Sequence, residues 1–161
     1  MKENRNIWAE IVEKLASKNL TIATMESCTG GGIANEITNI SGASAVLKES
    51  YVTYSNEAKF KCGVSYGVIA RNTVYSDATA IEMAKAVKKL SGADITIGVT
   101  GQLGRIDPAN PVDKLNHVWY AILVQDDNGF IVKEVNVPDD ERKKQKDFVI
   151  DKIAETLLEE L

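Results

Sequence analysis

The chain has 161 residues, 44% of them hydrophobic and 26% charged, with a formal net charge of −4, which suits one domain with a buried core. An acidic balance without Lys/Arg blocks and interleaved aromatics excludes a nucleic-acid surface, so no nucleic-acid partner is expected. No apolar run approaches the roughly 20 residues of a membrane span, and no signal-peptide core follows Met1-Lys2-Glu3-Asn4-Arg5, so a cytoplasmic protein with no membrane partner is expected. Cys28 and Cys62 with the single histidine, His117, cannot complete a closed four-ligand zinc site. Neither a metal, a cofactor nor a disulfide is expected.

Ile7, Trp8, Ile11, Val12 and Leu15 fall at helical spacing and predict an N-terminal helix with one apolar face. Thr21-Ile22-Ala23-Thr24-Met25 reads as a buried strand, and Ile33, Ala34, Ile37 and Ile40 mark a helix that opens at the glycines 30–32. Ser50 to Tyr54 is a second strand, followed by a short helix that Asn56 is placed to cap and that ends near Cys62. Ser76 predicts the N-cap of a helix with Ala80, Ile81, Ala84 and Val87 on one face, closed by Gly92 after Lys88-Lys89.

Three further strands are expected, at Ile95 to Thr100, Val118 to Val124 and Phe130 to Val135, the last two joined as a hairpin through Asp126-Asp127-Asn128-Gly129. Val149, Ile150, Ile153, Leu157 and Leu158 predict a C-terminal helix. Strands separated by helices with a late hairpin imply an α/β fold, a mixed sheet sandwiched between helix layers. No repeat or linker divides residues 1–161, so one domain is expected. The irregular stretch from Gly101 to Asn116 leaves the end of a core strand and reads as one wall of a pocket.

Two runs carry the chemistry. Glu26-Ser27-Cys28-Thr29-Gly30-Gly31-Gly32 joins a strand to a helix, where backbone N–H groups and the helix dipole favour a phosphate or an oxyanion. Its hydroxyls either serve chemistry or cap the helix, and Cys28 is either a nucleophile or a small buried hydrophobe. In Tyr54-Ser55-Asn56-Glu57-Ala58-Lys59, the lysine falls in the first helical turn, where the dipole and partial burial lower its pKa. A neutral lysine is a competent base for a hydroxyl nucleophile; the plainer reading pairs it with Glu57 or Glu26. Tyr54 either contacts the nucleophile or substrate ring, or is a sheet residue with a wet hydroxyl.

With Thr100-Gly101, these runs resemble the signatures of the CinA C-terminal domain family, whose active members are nicotinamide mononucleotide (NMN) deamidases. The similarity extends from about Leu20 to the last helix. It implies a three-layer α/β/α sandwich with a mixed, mostly parallel sheet, here without the additional N-terminal domain of longer CinA proteins, and a homodimer or higher homo-oligomer.

The resemblance also implies hydrolysis of the NMN carboxamide to nicotinate mononucleotide and ammonia, within the pyridine nucleotide cycle, with Ser27 and Lys59 as the catalytic pair and Tyr54 beside them. Thr29, Gly30, Gly31, Ser55, Asn56, Thr100 and Gly101 are the expected substrate contacts. The chain departs from the family pattern where Arg105 follows Gly104, where Lys114-Leu115-Asn116-His117 replaces Lys-Pro-Val-Gly, and at Pro138-Asp139-Asp140-Glu141-Arg142. Arg105 and Arg142 are the candidates to hold the phosphate. The alternatives are a diverged paralogue that binds a nucleotide without turnover, or an amidohydrolase for another small amide selected by Arg105, Asp107 and Asn110.

Overall fold

A computed structural model describes residues 6–110, 115–124 and 129–161. The expected turn residues Asp126, Asp127 and Asn128, as well as Lys114, lie outside the described residues.

Helix α1 spans Ile7–Ser17, capped by Asn6, and leads into strand β1, Ile22–Glu26, which is buried along its whole length. Helix α2 follows at Gly32–Thr38, then strand β2 at Leu47–Val52 and two short helices, α3 at Asn56–Lys61 and α4 at Tyr66–Asn72. Helix α5 spans Asp77–Ser91 between the Ser76 cap and Gly92, as its sequence signals require. Strands β3 (Ile95–Gln102), β4 (His117–Leu123) and β5 (Phe130–Asn136) precede the C-terminal helix α6, Arg142–Glu160.

The strands form one sheet in the order β2-β1-β3-β4-β5. β1 pairs parallel with both β2 and β3, while β4 is antiparallel to β3 and β5 to β4. β4 therefore runs against the other four strands, giving a mixed, mostly parallel sheet.

On one face α1, α2 and α6 pack Trp8, Ile11, Leu15, Ile33, Ile37, Ile153 and Leu157 against Ile95, Ile97, Val99 and Ile122 of the sheet. On the other face α4 and α5 bury Ile69, Met83 and Val87 against Ala23 and Met25. The result is the three-layer α/β/α sandwich. Gly98 sets the depth of the second layer, because a Cβ there would collide with the Ala80 carbonyl, the Ala84 amide and the Met83 side chain.

Three local expectations are corrected. β3 runs on to Gln102, because Gly101 and Gln102 pair with Val118 and His117 of β4, so the irregular stretch begins at Leu103 and not at Gly101. β2 begins at Leu47 and ends at Val52, so Tyr54 lies beyond the strand. The reason is that β2 is an edge strand with an exposed Lys48 and only half-buried Glu49 and Ser50, a polar run that masks its start. In α3 the cap is Ser55, whose side chain accepts from the Ala58 amide at 3.1 Å, and Asn56 is the first helical residue. Serine and asparagine cap almost equally well, so composition alone does not separate two adjacent candidates.

Candidate active site

The carboxyl ends of β1, β2 and β3 converge where the chain passes from one side of β1 to the other, the place where open α/β sheets leave a crevice. Ser27 stands at the end of β1, its amide bonded to the Val99 carbonyl at 3.1 Å. The turn after it is locked by Glu26. This buried carboxylate accepts from the Thr29 hydroxyl at 2.7 Å, the Ile33 and Ala34 amides at 2.8 and 3.1 Å, and the Thr24 hydroxyl at 3.1 Å. The first free amides of α2 are thus satisfied by the chain itself, and the helix start is not a seat for a phosphate.

Lys59 comes from α3 and is only 1% exposed, with its Nζ 3.0 Å from Ser27 Oγ and 2.7 Å from the Thr53 carbonyl. Burial lowers its pKa from 10.5 to about 8. Among the described residues no carboxylate partners it, and Glu26 is occupied at α2, so the pairing with Glu57 or Glu26 is not made. Nor is the dipole of α3 the cause of the shift, since Lys59 is the fourth residue of a six-residue helix. Desolvation carries it.

Cys28 is buried and its thiol is pushed up to about 12, by burial first and by the charge of Glu26 second. It stays protonated near neutral pH and behaves as a small hydrophobe. The amides of Gly30 and Gly32 are held by the Ser27 and Thr29 carbonyls at 3.0 Å each. Among the described residues the amides of Cys28 and Thr29, next to Ser27, make no backbone hydrogen bond.

A cavity of about 540 Å³ opens over this pair, within the range of small-molecule sites. Of the residues expected around a substrate, Ser27, Tyr54, Ser55, Asn56, Gly101, Arg105 and Arg142 line it. Lys59 lies beneath Ser27, and Thr29, Gly30, Gly31 and Thr100 are not in its wall. Thr29 serves Glu26, and the Thr100 hydroxyl donates to the Val74 carbonyl at 2.8 Å, so both hydroxyls are structural. Gly30 and Gly31 shape the turn instead, with φ of +60° and +92°. Gly101 admits no side chain, since a Cβ would press on the His117 carbonyl at 2.6 Å.

The rim is polar. Arg142, at the start of α6, donates from Nη2 to the Tyr54 hydroxyl at 3.0 Å; Tyr54 makes no hydrogen bond to Ser27 or Lys59 among the described residues. Asn56 donates to Asn110 Oδ1 at 3.1 Å and Asn110 to Asp107 Oδ2 at 3.2 Å, so the loop after β3 is tied to the start of α3.

Three contributors escaped the sequence reading. The Thr53 carbonyl is a backbone group with no residue-type signal. Tyr75 lines the cavity with its phenol raised to about 12, by burial and by Asp107; it sits just before the Ser76 cap, in a segment whose sequence signal is that of a helix start. Gln102 also lines the cavity, within the stretch expected to form one wall, but without the individual role that its place at the end of the apolar β3 run would have signalled.

Residues 4–161 match the family model of the CinA C-terminal domain. The chain belongs to that family. It is 33% identical over 126 residues to nicotinamide-nucleotide amidohydrolase PncC from Escherichia coli, covering 78% of this chain and 76% of that one. A CinA-like protein from Chloroherpeton thalassium is 50% identical over 95 residues, 58% of this chain. The match spans 23% of that longer protein. Among solved structures, the competence damage-inducible protein A (ComA) from Klebsiella pneumoniae superposes with a TM-score of 0.87 at 26% identity, over 97% of this chain and 96% of its own. The α/β fold is that of the CinA superfamily.

Proposed function

We propose that this CinA-family chain is an amidohydrolase that converts NMN to nicotinate mononucleotide and ammonia, with Ser27 as nucleophile and Lys59 as base. The observation that carries the reading is the buried contact of Lys59 Nζ with Ser27 Oγ at 3.0 Å, on the floor of the cavity, for a lysine whose pKa is about 8. The relationship to PncC supports the choice of amide.

A neutral Lys59 keeps one N–H on the Thr53 carbonyl, which aims its lone pair at the Ser27 hydroxyl. Lys59 takes the hydroxyl proton while Ser27 Oγ bonds to the carboxamide carbon, and the C–O⁻ of the tetrahedral intermediate faces the Cys28 and Thr29 amides. Collapse breaks the C–N bond, and the proton on Lys59 leaves with the amine as ammonia. Water then attacks the acyl ester, Lys59 accepting its proton and returning it to Ser27 as nicotinate mononucleotide departs. Because Glu26 closes the start of α2, the 5′-phosphate is assigned to Arg105 and Arg142 at the rim.

The test is ammonia release from NMN, from nicotinamide and from a small-amide panel, with and without EDTA. Turnover of NMN unaffected by EDTA is expected. Ser27→Ala and Lys59→Ala should each reduce kcat by about three orders of magnitude or more, with the double variant little worse than either. Turnover confined to another amide reassigns the substrate, and no turnover at all favours a nucleotide-binding paralogue.

A further inference from the structure

Gln102 ends β3, is 6% exposed and lines the cavity, yet among the described residues neither its side-chain oxygen nor its nitrogen has a hydrogen-bond partner. Its main chain is accounted for, since the carbonyl accepts from the Asn116 amide at 2.9 Å. The polar side chains on the same side of β3 are satisfied: Thr96 donates to the Ala84 carbonyl at 2.9 Å and Thr100 to the Val74 carbonyl at 2.8 Å. A buried amide with both ends unpaired is costly, and a fold that keeps one beside a cavity is arranged for a ligand.

The sheet register says which part of the ligand it meets. Glu26 pairs with Val99, so Ser27 is level with Thr100, and Gln102 stands two residues, about 7 Å, further toward the open end. With the scissile carboxamide at Ser27 and the phosphate at the arginine rim, the sugar occupies that level. A side-chain amide needs an acceptor and a donor together. A phosphate supplies acceptors alone and the pyridinium ring supplies neither, whereas the vicinal hydroxyls of a ribose supply both.

Resting on the amidase reading for where the two ends of the ligand lie, we propose that Gln102 reads the ribose: its carboxamide hydrogen-bonds the 2′ and 3′ hydroxyls and selects a ribonucleotide substrate.

Gln102→Met keeps the length and volume and removes the amide. Without ligand the variant should melt about 2–6 °C higher than the wild type, because an unpaired buried amide is gone. Its kcat/KM on NMN should fall about 10- to 100-fold, mostly through KM. Ribose 5-phosphate should raise the melting temperature of the wild type more than 2-deoxyribose 5-phosphate does, and Gln102→Met should not distinguish the two sugars. A variant that melts lower, a wild type indifferent to the 2-hydroxyl or unmoved by either sugar, or equal discrimination in both proteins overturns the proposal. Wild-type inactivity on NMN sinks the amidase reading alone, since the sugar comparison requires no turnover.

Discussion

Lys59 donates to the Thr53 carbonyl at 2.7 Å, across the turn that joins β2 to α3. The turn that delivers the lysine thus also fixes the direction of its ammonium group, and a rotamer-rich side chain is reduced to one orientation under Ser27. Its desolvation follows from the same placement.

The rate should therefore rise with pH. With Lys59 at about 8, kcat/KM on NMN is expected to increase tenfold per pH unit below that value and to level above it. A pH profile between 6 and 9.5 checks this. A flat profile in that window would mean that the lysine is already neutral or does not act as the base.

Stability should show the opposite side of the same titration. An unfolded lysine binds its proton near 10.5 and the folded one near 8, so below pH 8 the folded state bears the full cost, on the order of 3 kcal/mol, which fades as pH rises toward 10.5. Lys59→Met escapes that cost but leaves the Thr53 carbonyl without its donor, a loss of about 1–3 kcal/mol. Near pH 7 the two nearly cancel. Between pH 8 and 10.5 the wild type should gain on the variant by about 3 kcal/mol, measured by urea unfolding at both ends of the window. A constant difference across it would contradict the shift.

Glu26→Gln should be far more damaging than its conservative look suggests. Its carboxylate accepts from two amides of α2 and two threonine hydroxyls, and a glutamine presents an N–H₂ to at least one of those donors. We expect a loss of about 3 kcal/mol in chemical denaturation. Activity should fall with it, since the same turn positions Ser27. Unchanged stability would mean that the helix start draws little from this carboxylate.

Cys28→Ala should keep most activity and cost about 1–2 kcal/mol as a buried small-cavity change. In the wild type, iodoacetamide at pH 8 should label Cys62 well before Cys28, whose thiol is buried and raised to about 12. Mass spectrometry of the labelled chain decides it; first labelling at Cys28 would restore that thiol as a rival nucleophile.

The sequence made some of this plain for physical reasons. Helix α5 is bounded by Ser76 and Gly92, strong local signals, and two apolar runs of strand length so close together in sequence pair as the antiparallel β4 and β5. A hydroxyl after a strand commonly caps a helix and a lysine near a helix start is often solvated, so the residues alone left Ser27 and Lys59 open, and the family resemblance named them as a pair; their side chains lie 3.0 Å apart. What stayed hidden was relational. Thr29, Gly30 and Gly31 looked like ligand contacts until Glu26 was found occupying the helix start. Glu26 itself is a polar end to an apolar strand, and nothing in its own type says that it turns back into the next helix. Strand β2 was displaced because its polar edge hides its period.

The parallel pairing of β1 with β3 joins segments more than 70 residues apart, with Ile22 opposite Ile95 and Glu26 opposite Val99. Ser27 has no cavity above it until that pairing is made, because Gly101, Gln102 and Leu103 form the wall on that side. Long-range parallel pairing is slow to nucleate. During refolding from denaturant, helical signal should return first and ammonia release only with the closing of this central pair, so enzymatic assay of a refolding time course doubles as a clock for the sheet.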